Sequence, residues 1–317
     1  MEATKTLTRA QKRNVFFGLM ISVPILMFIL FYVCINANTI LMAFKHYEKI
    51  EGEFGYKVTF AGFKNFATII KMLSTGDNWY MLKNSVVLWF FKLTVGLSVS
   101  IIFSYYVYKK MLGAGFFRVI LFLPNIVSNL IMVYLYKYLV MNFIKPDSIQ
   151  GVGNIFDMPQ TAFPPILFFN LWLGFAGQTL LITSAMSSIN ESIEEAAQVD
   201  GVNSISELFY ITLPMIMPTL TTFIVLSIAE LFVDQMSLLT FYDKFGVDAK
   251  LQTVGFYLYN LAYNSKVVPD QSWSPVTNDG DLSYSELSAF GVMISAVIIP
   301  ISFGVRKLLN KLDPNEG

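Results

Sequence analysis

Charge, cysteine and histidine are all scarce in this chain. Of 317 residues, 14% are charged, one is cysteine and one is histidine. Soluble domains carry about 25% charge, so composition excludes a water-soluble globule. Cys34 has no partner and lies in an apolar run, which excludes a disulfide scaffold and carries no redox signal. Acidic and basic residues balance at 22 each, without the basic excess of a nucleic-acid binder and without the like-charge block of a disordered tail. The phosphate-cradling pattern G-x-x-x-x-G-K-[ST] is absent, as are H-E-x-x-H and G-x-S-x-G, so the chain offers no nucleotide site, catalytic site or metal set. His46 stands in a polar loop without a second His or Cys nearby and reads as a surface residue. What is abundant is hydrophobicity: 55% of residues are hydrophobic and the mean hydropathy is +0.56. These values point to an integral membrane protein.

A spanning helix needs about 20 mostly apolar residues to cross a hydrocarbon core about 30 Å thick. Six segments qualify: about Val15 to Phe44, Asn84 to Tyr108, Val119 to Met141, Phe163 to Ser187, Met215 to Thr240 and Leu287 to Val305. Helices are expected despite the Val, Ile and Phe content, because a helix satisfies its own backbone inside a bilayer. The basic head with Lys5, Arg9, Lys12 and Arg13 resembles a signal-peptide start, but the apolar stretch after it is too long and lacks a small-residue cleavage site. The first helix is therefore expected to be retained. Arg9, Arg13, Arg118 and Arg306 all fall at cytoplasmic ends if both termini are inside. The lysines Lys45, Lys49, Lys57, Lys64, Lys71 and Lys83 sit in the first external loop, which is longer and less dense in charge. The expected layout is a cytoplasmic N-terminus over 1–14, the first span over 15–44, an external loop with an amphipathic segment over 45–83, a core over 84–309 and a cytoplasmic tail over 310–317. Inside the core, long loops over 188–214 (cytoplasmic) and 241–286 (external) are the expected functional segments.

The stretch from Glu194 to Pro218 reads EEAAQVDGVNSISELFYITLPMIMP. Glu191, Glu194, Glu195, Asp200 and Glu207 make it acidic, with no basic residue among them. A polar helix with Ala196 and Ala197 leads to Gly201, which can take positive φ and reverse the chain. A second short helix from about Ser204 is expected to place Ile205, Leu208 and Phe209 on one face, and Pro214 and Pro218 mark the start of the next span. Small alanines allow close approach, and carboxylates can bond Arg or Lys on a partner, so this helix–turn–helix suits docking.

Glu195-Ala196-Ala197, Gly201, and Ile211-x-Leu213-Pro214 resemble the EAA motif of binding-protein-dependent ABC importer permeases. Further matches are similar to the carbohydrate-uptake, maltose-type permeases with the MetI-like fold. These are Phe60-x-Gly62-x-x-Asn65-Phe66, Asn84-Ser85, Leu123-Pro124, Trp172, and Phe232-Val233-Asp234 followed by Thr240. The sequence departs at Ser184-Ala185-Met186, at Asn190 in place of a proline, and at the turn from Tyr242 to Gly246. The resemblance covers about Val15 to Leu312. It implies an all-α membrane protein of six transmembrane helices in the bacterial or archaeal inner membrane. Its coupling helix would use Glu195, Ala196, Ala197, Asp200, Gly201, Ile211, Leu213 and Pro214 to engage a cytoplasmic ATPase. It further implies a second homologous permease, forming a heterodimer, together with two ATPase subunits and an extracytoplasmic solute-binding protein. The chain itself would carry no cofactor, ATP and Mg residing on the partner ATPase, and the substrate would be a sugar.

Ionisable groups inside a bilayer face a pathway or a partner. Glu230 and Asp234 are four apart in the fifth span and would share a helix face, with Gln235 adjacent. They read as candidates for contacting sugar hydroxyls, or, for Asp234, as a bond to a neighbouring helix or a position at the external interface. Asn125, Asn129 and Tyr134 in the third span, and Asn170, Trp172 and Gln178 in the fourth, add polar and aromatic groups suited to sugars; helix packing, helped by Gly174 and Gly177, accounts for many of them. Lys92 and Lys137 read as snorkelling residues. The aromatics Phe256, Tyr257, Tyr259 and Tyr263 fit an interfacial belt. Asn278 to Leu282 with Glu286 imitates half of a calcium loop, but Pro275 and Thr277 spoil the other half, leaving an Asp-Gly turn on a surface that meets a binding protein. The rivals are a permease for glycerol phosphate or a peptide, a stand-alone secondary transporter and an intramembrane enzyme. The second would need internal repeats and paired charges, the third a nucleophile and a base, and the chain displays neither pattern clearly.

Overall fold

The computed structural model of the chain describes residues 8–49, 56–143, 154–243, 247–264 and 283–311. These divide into two compact units, one of residues up to 70 with 283–293 and the other of residues 71–264 with 294–311.

In the first unit, α1 runs Arg9–Ala43. The basic head is therefore part of the helix, which opens with a capping box: Thr8 Oγ1 accepts from the Gln11 N–H and Gln11 Oε1 accepts from the Thr8 N–H. The chain then forms a hairpin of β1 (Lys45–Lys49) and β2 (Tyr56–Phe60), antiparallel with Lys45 opposite Phe60. The all-α expectation is corrected here. Both arms are too polar to continue a span, and their mix of aromatic and β-branched residues suits an exposed ribbon. Gly62, at φ +55°, turns the chain into α2 (Lys64–Leu73), the expected amphipathic segment. The buried Asn65 side chain donates to the carbonyls of Ala43 (2.8 Å) and Lys45 (2.9 Å), tying α2 to the end of α1. Phe44, Phe63 and Phe66 close around that tie.

In the second unit, α3 (Gly76–Tyr108) and α6 (Pro159–Met186) form the main helix pair. Gly96, Ser100 and Ser104 recur every fourth residue, a small-residue stripe that lets the two backbones approach. Ser100 Oγ lies 3.2 Å from Gln178 Oε1, and Ser104 Oγ donates to the Thr179 carbonyl at 3.0 Å. Between these helices come α4 (Ala114–Ile126) and α5 (Asn129–Phe143), bent by 108° at Val127 and Ser128. The single third span expected from hydropathy is thus two helices. Pro124 removes a backbone donor near the end of α4, Val127 is extended, and the Ser128 carbonyl accepts the first bond of α5.

The remaining helices are α7 (Glu191–Val199), α8 (Ser204–Met215), α9 (Met217–Glu230), α10 (Leu238–Tyr242), α11 (Val254–Asn264) and α12 (Tyr284–Asn310), the last extending through both residue sets. Four helices are long and apolar enough to cross a membrane, α1, α3, α6 and α12, and the bent pairs α4–α5 and α8–α9 make up to six if each counts as one span. One buried cluster centres on Phe169, Phe241 and Phe256; a second, under α8, joins Tyr105, Ile182, Met186, Leu208, Ile216 and Leu220.

Candidate functional site

Asn84 and Ser85, early in α3, hold the segment ahead of α11. Asn84 Nδ2 donates to the carbonyls of Lys250 (2.9 Å) and Gln252 (3.0 Å), and Ser85 Oγ accepts from the Val254 N–H (3.0 Å). One turn further, the side chains of Leu88, Trp89, Lys92 and Leu93 face Gln178, Ser227, Glu230 and Asp234 across a cavity of about 40 Å³. That is room for ordered water, which needs about 10–15 Å³ of such space per molecule. Lys92 lies halfway along α3, within a π-helical turn over Lys92–Gly96. Its ammonium is ion-paired with the Asp234 carboxylate, and the indole nitrogen of Trp89 is buried without a hydrogen-bond partner.

Asp234 does not continue the helix of Glu230. Helix α9 ends at Glu230, and residues 231–237 form an irregular turn in which Met236 and Ser237 both take left-handed φ (54° and 53°). The expected shared helix face is replaced by a shared cavity wall. Asp234 holds the turn: its Oδ1 accepts from the Met236 N–H at 2.8 Å, and its carbonyl accepts from Thr253 Oγ1 at 2.7 Å. Asn170 Nδ2 donates to the Met236 carbonyl at 3.1 Å. Gly255 comes so close to this turn that a Cβ there would sit 2.2 Å from the Val233 carbonyl oxygen.

Among the expected path residues, Glu230, Asp234 and Gln178 therefore meet in the cavity. Asn170 binds the turn from behind; Asn129 is exposed, 3.5 Å from Ser237 Oγ; Asn125 lies beside Gly177. Trp172 packs edge-on to Phe169, and Gln235 lies in the turn without lining the cavity. Lys92 is a paired residue of the cavity rather than a snorkelling one, and Lys137 donates to the Phe241 carbonyl at 2.6 Å. The signal that could have identified Lys92 is its place in the middle of an apolar run, where an unpaired ammonium is costly.

The acidic helix–turn–helix forms as its local sequence dictates. The Asn190 side chain caps α7 by accepting from the Ser192 N–H (3.1 Å), and Asn203 caps α8 by accepting from the Ser206 N–H (2.8 Å). Gly201 reverses the chain at φ +71°. Glu195, Ala196, Asp200 and Gly201 are exposed, Ala197 is buried, and Ile211, Leu213 and Pro214 are half-buried. One expected detail changes: Leu208 points inward, while Ile205 and Phe209 point out, joined by Val199 and Tyr210. Positions 205 and 209 are a full turn apart, whereas 208 falls on the neighbouring face where the helix packs on Tyr105 and Ile182. The acidic loop also acquires a cation that its own sequence lacks. Lys109, just past the end of α3, lies 3.1 Å from Glu194 and is ion-paired with the buried Glu207. Burial, followed by the nearby Glu207 charge, pushes the Glu194 carboxyl above its ordinary value despite that contact.

Among the described residues no group of His, Cys, Asp or Glu is placed to hold a metal ion. The residues from Pro275 to Leu282 lie outside the described residues, as do Lys244 to Gly246 and the Tyr263 side chain. The carboxylate of Glu286 forms a capping box with Ser283 at the start of α12 (2.8 Å to its N–H).

Four helices long and apolar enough to cross a membrane, an ion pair midway along α3 and an exposed acidic hairpin are the features of a multi-pass membrane protein. The chain belongs to the family of binding-protein-dependent transport system inner membrane components, which matches residues 92–314. It is 26% identical over 220 residues to the inner membrane ABC transporter permease protein YcjO of Escherichia coli, covering 65% of this chain and 70% of that protein. It is 26% identical over 212 residues to the trehalose/maltose transport system permease protein MalF of Thermococcus litoralis, covering 64% and 70%. A solved bacterial alginate ABC transporter, in complex with an alginate pentasaccharide-bound periplasmic protein, contains a chain of the same fold with TM-score 0.69, 19% identity and 96% of each chain covered. The fold is MetI-like, and the relatives are transport permeases rather than enzymes.

Proposed function

We propose that the chain is the permease subunit of an ATP-driven ABC importer for a carbohydrate, spanning the inner membrane six times with both bent pairs counted as single spans. The observation that carries the reading is the exposed acidic helix–turn–helix around Gly201 in a chain of this family. Both termini and this hairpin lie on the cytoplasmic side. There the outer face of α7 and α8, with Glu195, Ala196, Asp200, Ile205 and Phe209, enters a cleft on an ATPase subunit. Carboxylates on that face bond Arg or Lys of the ATPase, and the exposed apolar groups fill the cleft. ATP and Mg stay on two ATPase copies. A second homologous permease completes the path, and a solute-binding protein delivers the sugar from outside, a reading supported by the complex of the alginate transporter with a pentasaccharide-bound periplasmic protein.

The path runs past the cavity of Lys92, Asp234, Gln178 and Glu230. At about 40 Å³ it is shut to a sugar, so a working cycle has to open it by moving one helix group against another. The buried N–H of Trp89 and the amide of Gln178 then offer bonds to hydroxyls, and the indole ring offers a face for C–H groups. Uptake by the reconstituted complex tests the coupling: Glu195→Lys and Gly201→Pro abolish transport and stimulated ATP hydrolysis while membrane insertion stays intact. Normal uptake by either variant removes the mechanism. A non-sugar solute is the second reading; mass spectrometry of the solute that co-purifies with the complex decides between them.

A further inference from the structure

The hairpin meets the end of α3 in two ways, through Leu208 packed on Tyr105 and through one cation that both arms share. Lys109 lies where α3 ends, its own N–H still bonded to the Tyr105 carbonyl at 2.9 Å. Its ammonium reaches Glu194 on α7 and Glu207 on α8, so the two arms of the hairpin share a single cation. The ammonium also sits 5.9 Å from the ring centroid of Tyr105 and 5.2 Å from that of Tyr108. The three charged side chains are 17%, 22% and 10% exposed for Lys109, Glu194 and Glu207, which shields their pairing from salt. In contrast, the tip of the hairpin is open, with Val199 87% and Ile205 71% exposed. The arrangement is a fixed root and a free tip.

Two carboxylates facing one ammonium leave a net negative charge in a partly buried site. An apolar contact would fill the same space without that cost, since buried ion pairs often contribute little net stability. What the charges add is direction: the single ammonium of Lys109 meets one carboxylate from each arm. We propose that Lys109 is the positioning residue that keys both arms of the hairpin to the end of α3, so that displacement of the hairpin and movement of α3 are a single motion. This rests on the reading of the hairpin as the coupling element. It extends that reading by specifying the route: from hairpin to Lys109, and along α3 to the Lys92–Asp234 pair on the same helix.

The experiment uses the assembled complex with its partner permease, ATPases and purified binding protein carrying its co-purified solute. Amide hydrogen exchange is followed over residues 97–108 and 191–215, with and without ATP, alongside basal and stimulated ATP hydrolysis. In the parent complex, ATP is expected to change protection in both segments. In Lys109→Met the hairpin still responds, the response of 97–108 is lost, and stimulation falls about tenfold with basal hydrolysis retained. Lys109→Arg restores both readouts, because the longer cation still spans two carboxylates. A normal response of 97–108 in Lys109→Met overturns the proposal. If that variant does not assemble, Glu194→Gln and Glu207→Gln take its place, each releasing one arm, and full stimulation in both likewise overturns it. A failure of the coupling reading itself looks different: the hairpin of the parent complex then ignores ATP.

Discussion

One helix holds Lys92 and ends beside Lys109, and the protein treats the two lysines in opposite ways. Lys92 has one carboxylate partner, and that partner is part of a braced turn: Asp234 also accepts from the Met236 N–H, while Gly255 presses on the backbone beside it. Lys109 has two partners on two short helices whose far ends are free. The first is a pair held on a braced turn beside a small cavity, and the second joins two short helices to the end of α3. The comparison teaches that a lysine of one helix can either close on a single braced turn or gather two separate helices, depending on which backbone carries its partners.

The sharpest way to break this comparison is to remove one member of the braced pair. Lys92→Met leaves Asp234 partly buried without its cation and is expected to cost about 3 kcal/mol, read as a lower unfolding temperature in detergent. Lys92→Met with Asp234→Asn, which keeps an oxygen for the Met236 N–H, should recover most of that loss; equal stability of the single variant and the parent would contradict the braced pair. Next, Gly255→Ala forces a methyl against the Val233 carbonyl at 2.2 Å and should cost about 2 kcal/mol by overpacking. Gly174→Ala meets nothing within 4 Å and should stay within about 0.5 kcal/mol of the parent. On the Lys109 side, Asn203→Ala removes the cap of α8 and should cost about 1 kcal/mol locally, seen as faster amide exchange over 204–215 with the cavity unaffected.

The smallest effect concerns pH. The Glu194 carboxyl is raised by burial and by Glu207, so the folded hairpin holds that proton more tightly than the unfolded chain does. Its contribution to stability is then full below the ordinary glutamate value of about 4.3 and is lost as pH rises through the raised one. Protection over 191–199, corrected for intrinsic exchange, should decline across that window, and Glu194→Gln should flatten the decline.

The hairpin was legible because its signals are local: Ala196 and Ala197 on a short polar helix, Gly201 to reverse the chain, and acidic residues throughout. Even there, Leu208 was misplaced, since which flank of α8 packs inward depends on where Tyr105 and Ile182 lie. The long apolar helices were legible for the same reason of periodicity and length. The break at Val127 and Ser128 was not, because hydropathy is continuous across it and only backbone geometry separates α4 from α5. The β1–β2 ribbon was missed for lack of a strong alternation in a short polar segment.

By itself, then, the sequence determined that this chain lives in a membrane and turns sharply at Gly201, and it carried the motifs of its family. These properties follow from composition and from neighbours a few residues apart. Only the tertiary structure decided which charges meet. Lys92 and Asp234 are 142 residues apart, Lys109 and Glu194 are 85 apart, and no local pattern specifies a partner at that range. A charge in an apolar run announces that it needs a counter-ion, but the packing of α3 against the rest of its unit selects which one.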